Sequence, residues 1–188
     1  MIRAFAAIPL PDETRAALGL AQAALPLARP VPPENLHLTL AFLGELPEPL
    51  LEEVHFAFSA VHAAGFDLTL QGLGMFGTHP PRSVHAGVVE NAALRHLQAK
   101  LEQAARGAGA RVERRRFTPH VTLAYLNPRT TDLPRLERAL AGGAGFRAGP
   151  FPVTGFTLFR SDLSRGGARH TELARYPLSA SSWPASGP

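Results

Sequence analysis

The sequence predicts an α+β fold built as two lobes of one duplicated β-α-β-α-β unit, with two antiparallel sheets facing a central cleft and helices outside. Three observations carry this. Short strand-like runs alternate with amphipathic helical runs instead of clustering by type. The order read along the chain is β-α-β-α-β and then β-α-β-α-β-β. The tetrads His37-Leu38-Thr39-Leu40 and His120-Val121-Thr122-Leu123 stand 83 positions apart in a chain of 188 residues, each shortly after a proline.

The elements follow in order. Ile2–Ile8 is apolar, bounded by Pro9 and Pro11, and reads as a strand. Asp12 offers an N-cap for a helix carrying Leu18, Ala21, Ala24 and Leu25. Pro30, Pro32 and Pro33 impose an extended turn. Leu36–Leu43 is a strand ended by Gly44, and Pro47 opens a helix whose apolar face is Leu50, Leu51, Val54, Phe58 and Val61. Phe66–Leu70 and Ser83–Val89 are strands around a Gly/Pro-rich connection. Ala92–Arg106 is helical, Phe117–Leu126 a strand and Leu133–Leu140 a short helix. Residues 142–152 read as a loop, Val153–Phe159 and His170–Arg175 as closing strands. The predicted organisation is one bilobal domain over 1–178, with pseudo-repeats at about 2–74 and 82–178, and a frayed tail over 179–188.

Composition narrows the chemistry. With 45% hydrophobic and 18% charged residues the chain is of ordinary globular type. It has no cysteine, which excludes disulfides, thiolate metal sites and a cysteine nucleophile. No run approaches the roughly 20 apolar residues of a membrane span, and the N-terminal apolar stretch stops at Pro9. A cytoplasmic monomer is the expectation. Charge is uneven: residues 1–94 carry a net −5 and residues 95–188 a net +9. A half-chain this basic suits a polyanion, and Arg114-Arg115-Arg116 with Arg160, Arg165, Arg169 and Arg175 read as a phosphate-tracking rim. A solvated arginine surface is the competing reading.

Alternate residues of a strand share a face. His37 and Thr39 therefore point one way and Leu38 and Leu40 the other, as do His120 and Thr122 against Val121 and Leu123. Each half presents an imidazole and a hydroxyl about 6.5 Å apart along the strand. Two such pairs converging would grip a small anion. Near pH 7 one imidazole can be neutral and the other protonated, which suits opening a phosphodiester with no metal. A single tetrad would be an ordinary amphipathic strand, but two at matching places are harder to dismiss.

The segments Asn35–Gly44 and Phe117–Ala124, with the start Arg3–Asp12 and the close Leu158–Leu163 and Gly167–Leu173, resemble the two-histidine (2H) phosphoesterases. Within them the chain resembles the bacterial RNA 2′,3′-cyclic phosphodiesterase (2′-5′ RNA ligase) family, over about residues 2–178. The resemblance implies metal-independent hydrolysis of an RNA terminal 2′,3′-cyclic phosphate to a 2′-phosphate, with no cofactor. It implies His37 as proton donor, His120 as proton acceptor, and Thr39 and Thr122 as phosphate-binding groups. The reverse reaction, 2′-5′ ligation, and a non-catalytic RNA-binding module are the alternatives. Tyr125 stands where many members carry a basic residue, and His170 where a tyrosine is frequent. With Phe42, Arg116 and Arg160 they are candidates for substrate contact. Phe42 would stack a base at the cleft, or equally sit in the core.

Two further patterns are set aside. Gly72-Leu73-Gly74-Met75-Phe76-Gly77 fits a dinucleotide-binding pattern, but Pro80-Pro81 leaves no helix to hold a phosphate, so it reads as a flexible connection. His55, His62, His79, His85 and His96 match no ligand spacing and are assigned to structure or surface.

Overall fold

The computed structural model describes residues 1–77, 80–112, 116–164 and 167–180. The readings of His79, Arg114, Arg115 and Arg165, and of the tail past residue 180, fall outside them.

Among the described residues, eight strands and four α-helices form an α+β fold. The strands are β1 (Ile2–Pro9), β2 (His37–Leu46), β3 (Phe66–Phe76), β4 (Ser83–Val88), β5 (His120–Tyr125), β6 (Arg147–Val153), β7 (Gly155–Ser164) and β8 (Gly167–Pro177). The helices are α1 (Asp12–Ala23), α2 (Glu48–Ser59), α3 (Ala92–Gly107) and α4 (Leu133–Gly142), with a 3₁₀ turn at Pro33–Asn35. Capping differs along the chain. Asn91 Oδ1 accepts from the Leu94 N–H at 2.8 Å to start α3, and Asp132 Oδ1 accepts from the Arg135 N–H at 3.1 Å to start α4. Asp12 is the first helical residue of α1 and not its cap. Pro11 holds that place, and Asp12 pairs with Arg15.

Instead of the two sheets expected, one antiparallel sheet runs β6-β3-β4-β5-β2-β1-β7-β8. Its middle joint is thin, because β2 and β5 share only the pair Leu38↔Val121. Beyond Val121 the two strands part, and the chain before β2 fills the gap: Val31 N–H donates to the Leu123 carbonyl at 2.7 Å, and Gln22 Nε2 donates to that same carbonyl at 2.8 Å. Each side of the joint mixes sequence halves, since β6 pairs with β3 and β7 with β1. Chain order alone does not show this exchange.

Four other readings change. Residues 147–153 form β6, not loop. As an edge strand it tolerates Pro150 and Pro152, which lack an N–H to donate. β2 passes through Gly44, whose φ of +72° accommodates a bulge opposite Ala4 and Phe5. The Gly72–Phe76 stretch is not a flexible connection but the end of β3, with a bulge between Leu70 and Leu73 and Gly72 at φ +74°. β5 also starts later than predicted, at His120.

One core underlies the sheet. Leu18 from α1, Leu51, Val54 and Phe58 from α2, Leu94, Leu97 and Leu101 from α3, and Leu136 from α4 join Leu38, Leu70, Val121 and Leu123 in a single buried cluster. The helical periodicity read from the sequence thus marks the faces that pack inward. Beyond β8, Ser179 N–H donates to the Ala63 carbonyl at 3.0 Å, which ties down the start of the segment read as a tail.

Leu38 and Val121 are both 0% exposed at the joint. Leu38→Ala is expected to lower unfolding free energy by about 2–5 kcal/mol in urea titration. Leu20→Ala, on a side chain 76% exposed, should change it by less than about 0.5 kcal/mol. Equal effects would contradict the packing described.

Candidate functional site

Antiparallel order around the Leu38–Val121 pair sets His37 beside Thr122 and Thr39 beside His120. Leu38 and Val121 point into the core, so the four polar side chains share the opposite face, where all are partly exposed. The two tetrads are thereby adjacent in space despite their distance in sequence.

Both histidines are held in the same way. His37 Nδ1 lies 2.7 Å from the Asn35 carbonyl oxygen, and His120 Nδ1 lies 2.7 Å from the Thr118 carbonyl oxygen. A carbonyl can only accept, so each Nδ1 carries the proton and donates. In the neutral ring the basic lone pair is then on Nε2, and in the charged ring Nε2–H is the acid. One local device, an acceptor two residues upstream, orients both rings. Asn35 is itself anchored, as its Nδ2 donates to the Ala168 carbonyl at 2.7 Å.

The bulges after the tetrads match as well. Leu40 is the extra residue opposite Ala6 and Ala7, and Leu123 the extra residue opposite Val84 and His85. Strict alternation would put Phe42 in the core with Leu38 and Leu40. The bulge instead turns it to the histidine face, opposite Phe5, where it is 37% exposed under the Arg3 guanidinium at 4.6 Å. Tyr125 is carried to the same face by its own bulge, opposite Ser83, and is 72% exposed.

Aromatic rings wall each histidine. Phe5 stacks on His37 with centroids 4.7 Å apart, Phe159 stacks on Phe5 at 5.3 Å, and His170 meets His37 edge-on at 5.3 Å. Around His120, Phe76 stands edge-on at 4.7 Å and His85 at 5.6 Å. Phe5, Phe159, Phe76 and His85 were not singled out in the sequence. For His85 a signal existed, since Ser83, His85 and Gly87 alternate with the apolar Val84, Ala86 and Val88. Nothing in the sequence told that this strand pairs with β5.

The predicted rim is brought together only in part. Alternation along β7 puts Phe159 and Ser161 on the His37 side and Arg160 on the other, where its Nε donates to Asp162 Oδ1 at 2.8 Å. Arg160 therefore does not face the histidines. Arg116 is exposed, near enough to Glu90 to lower that carboxyl, after the larger effect of Arg95. Arg175 donates to Glu172 at 2.9 Å, and Arg169 is exposed.

Burial sets the electrostatics. It pushes His37 down to about 4 against the support of the Asn35 carbonyl, with His170 and His120 adding repulsion. Burial and then His120 push His85 down to about 4, and burial lowers His170. Among the described residues no group of three or more His, Cys, Asp or Glu is placed to hold a metal ion, and no helix is long and apolar enough to cross a membrane.

A family model for the 2′-5′ RNA ligase superfamily matches residues 10–165. An RNA 2′,3′-cyclic phosphodiesterase of Thermus thermophilus is 36% identical over 191 residues, covering 94% of this chain and 90% of that protein. A relative of the same name from Geobacillus stearothermophilus is 34% identical over 182 residues. That match covers 93% of this chain but only 56% of the relative, so this chain spans little more than half of its length. The crystal structure of Escherichia coli LigT complexed with 3′-AMP aligns with a TM-score of 0.78 at 32% identity, over 95% of this chain and 98% of that one.

The lowered histidines make stability depend on acid. Between the ordinary imidazole value of 6.5 and about 4, the unfolded chain binds protons that folded His37 and His85 refuse. Stability is complete above 6.5 and declines as pH falls towards 4. Thermal melting from pH 7 to 4 should show this loss, and a shallower one in His85→Phe. Parallel curves for the two proteins would contradict the assignment.

Proposed function

This chain belongs to the 2′-5′ RNA ligase superfamily, and from that premise we propose that it is an RNA 2′,3′-cyclic phosphodiesterase. It hydrolyses terminal 2′,3′-cyclic phosphates to 2′-phosphates with two histidines and no metal. The observation that carries this is the matched pair of Nδ1–carbonyl hydrogen bonds, each at 2.7 Å, which leaves Nε2 as the working nitrogen of both rings.

Water attacks phosphorus as His120 Nε2 takes its proton. The bond from phosphorus to the 3′-oxygen breaks, and His37 Nε2–H delivers a proton to that oxygen. Thr39 and Thr122 hydroxyls donate to the phosphate oxygens. His37 needs a proton that burial disfavours in the free protein, where it titrates at about 4. The bound phosphodiester anion supplies the opposite charge that raises it, so the donor is charged chiefly once substrate is in place. Phe42 and Tyr125, turned outward by their bulges, offer ring faces for bases on the two sides of the cleft. Arg116 and the other exposed arginines of the basic half hold the RNA chain by its phosphates.

The curated relatives carry the name of this activity, and LigT was crystallised with 3′-AMP. The acid and base roles are those the resemblance to the family implies, and the threonine contacts and aromatic platforms follow from the face those side chains share with the histidines.

With 2′,3′-cyclic AMP in excess EDTA, the wild-type protein is expected to form adenosine 2′-monophosphate. His37→Ala and His120→Ala should each lose about 10²–10⁴-fold in turnover, while circular dichroism shows the fold retained. A 3′-monophosphate product would reverse the leaving-group assignment, and wild-type turnover in either variant would remove that histidine from the mechanism.

A further inference from the structure

We propose that His85 is a positioning residue for His120: together with Phe76 it forms the flat wall that holds the His120 ring at the cleft. The proposal rests on the two-histidine reading above and adds a residue to it.

Strand pairing puts Gly74, His85 and Thr122 in one row across β3, β4 and β5. The His85 ring lies over Gly74. A Cβ at that position would stand 2.9 Å from His85 Nε2 and 3.1 Å from Cε1, so any larger residue would displace the ring. On its other neighbour the ring is fixed by stacking, with Phe76 at 4.0 Å and an interplanar angle of 17°. The two stacked rings then meet His120 with their planes turned steeply to it, at 76° for Phe76 and 69° for His85. This leaves the His120 ring little room to rotate away from the orientation that its Nδ1–Thr118 bond selects.

Packing holds the wall, for among the described residues His85 Nδ1 is buried without a hydrogen-bond partner. It is also uncharged at working pH. Among the described residues the titratable group facing it is His120 on β5, while β3 contributes Gly74 and Phe76, which carry no charge. A neutral wall does not oppose proton uptake by the base beside it, whereas a lysine or arginine there would.

The test compares the wild-type protein with His85→Ala, His85→Phe and Gly74→Ala, using 2′,3′-cyclic AMP. His85→Ala should lower kcat by about 10–100-fold with KM little changed, as expected when a reacting group is misplaced and substrate binding is not. His85→Phe restores a flat neutral ring and should recover most of kcat. Gly74→Ala keeps every imidazole but pushes His85 aside, and should behave like His85→Ala. Imidazole NMR of the same proteins should give one His120 environment in the wild type and His85→Phe, and a broadened or multiple one in His85→Ala. Wild-type kcat and an unchanged His120 signal in His85→Ala would overturn the proposal, as would a His85→Phe variant no better than His85→Ala. A wild-type protein inactive on the cyclic nucleotide would instead defeat the functional reading, and the NMR comparison would still decide the role of His85.

Discussion

A single strand pair, Leu38 with Val121, joins the two sides of the sheet. The proposed chemistry depends on that joint. Burying these two side chains in a common core fixes β2 against β5, and alternation then delivers His37, Thr39, His120 and Thr122 to one face. A longer ladder would flatten the join, and none would leave the two histidines unrelated. Parting immediately past the pair opens a cleft, and the Val31 and Gln22 bonds to the Leu123 carbonyl stop the opening from exposing unpaired backbone.

The same site is arranged against carrying charge by itself. His37 is half-buried beside His170 and within range of His120, and these conditions all favour its neutral form. His37 and His85, both pushed down to about 4, are therefore largely uncharged at neutral pH. In the mechanism proposed above, the negative charge of a bound phosphodiester changes the balance. In the proposed mechanism, proton donation by His37 is in this way coupled to occupancy of the site. The tautomers need no such help, since the Asn35 and Thr118 carbonyls set them before anything binds.

Much of this was legible in the sequence, and the limits are physical. Helical faces and most strands follow from local periodicity, as Leu94, Leu97 and Leu101 on α3 illustrate. The tetrads were legible because period-two alternation is a local property. Strand pairing is not local: that β6 joins β3 and β7 joins β1 depends on contacts between residues far apart in the chain, so the single continuous sheet could not be read off. Bulges are equally silent. Phe42 and Tyr125 reach the histidine face because Leu40 and Leu123 each take an extra place, which no propensity signals. His85 was passed over as an unpatterned histidine. Its partners, Gly74 and Phe76, lay in a glycine-rich stretch whose strand character comes from pairing with β4.

The most direct measurement of the central idea is a crystal structure with adenosine 2′-monophosphate bound. The arrangement of β2 and β5 requires one phosphate group within hydrogen-bonding distance of Nε2 of both His37 and His120, with the Thr39 and Thr122 hydroxyls on its oxygens. A phosphate that engages one tetrad alone, or that settles on the arginine surface away from the joint, would contradict it.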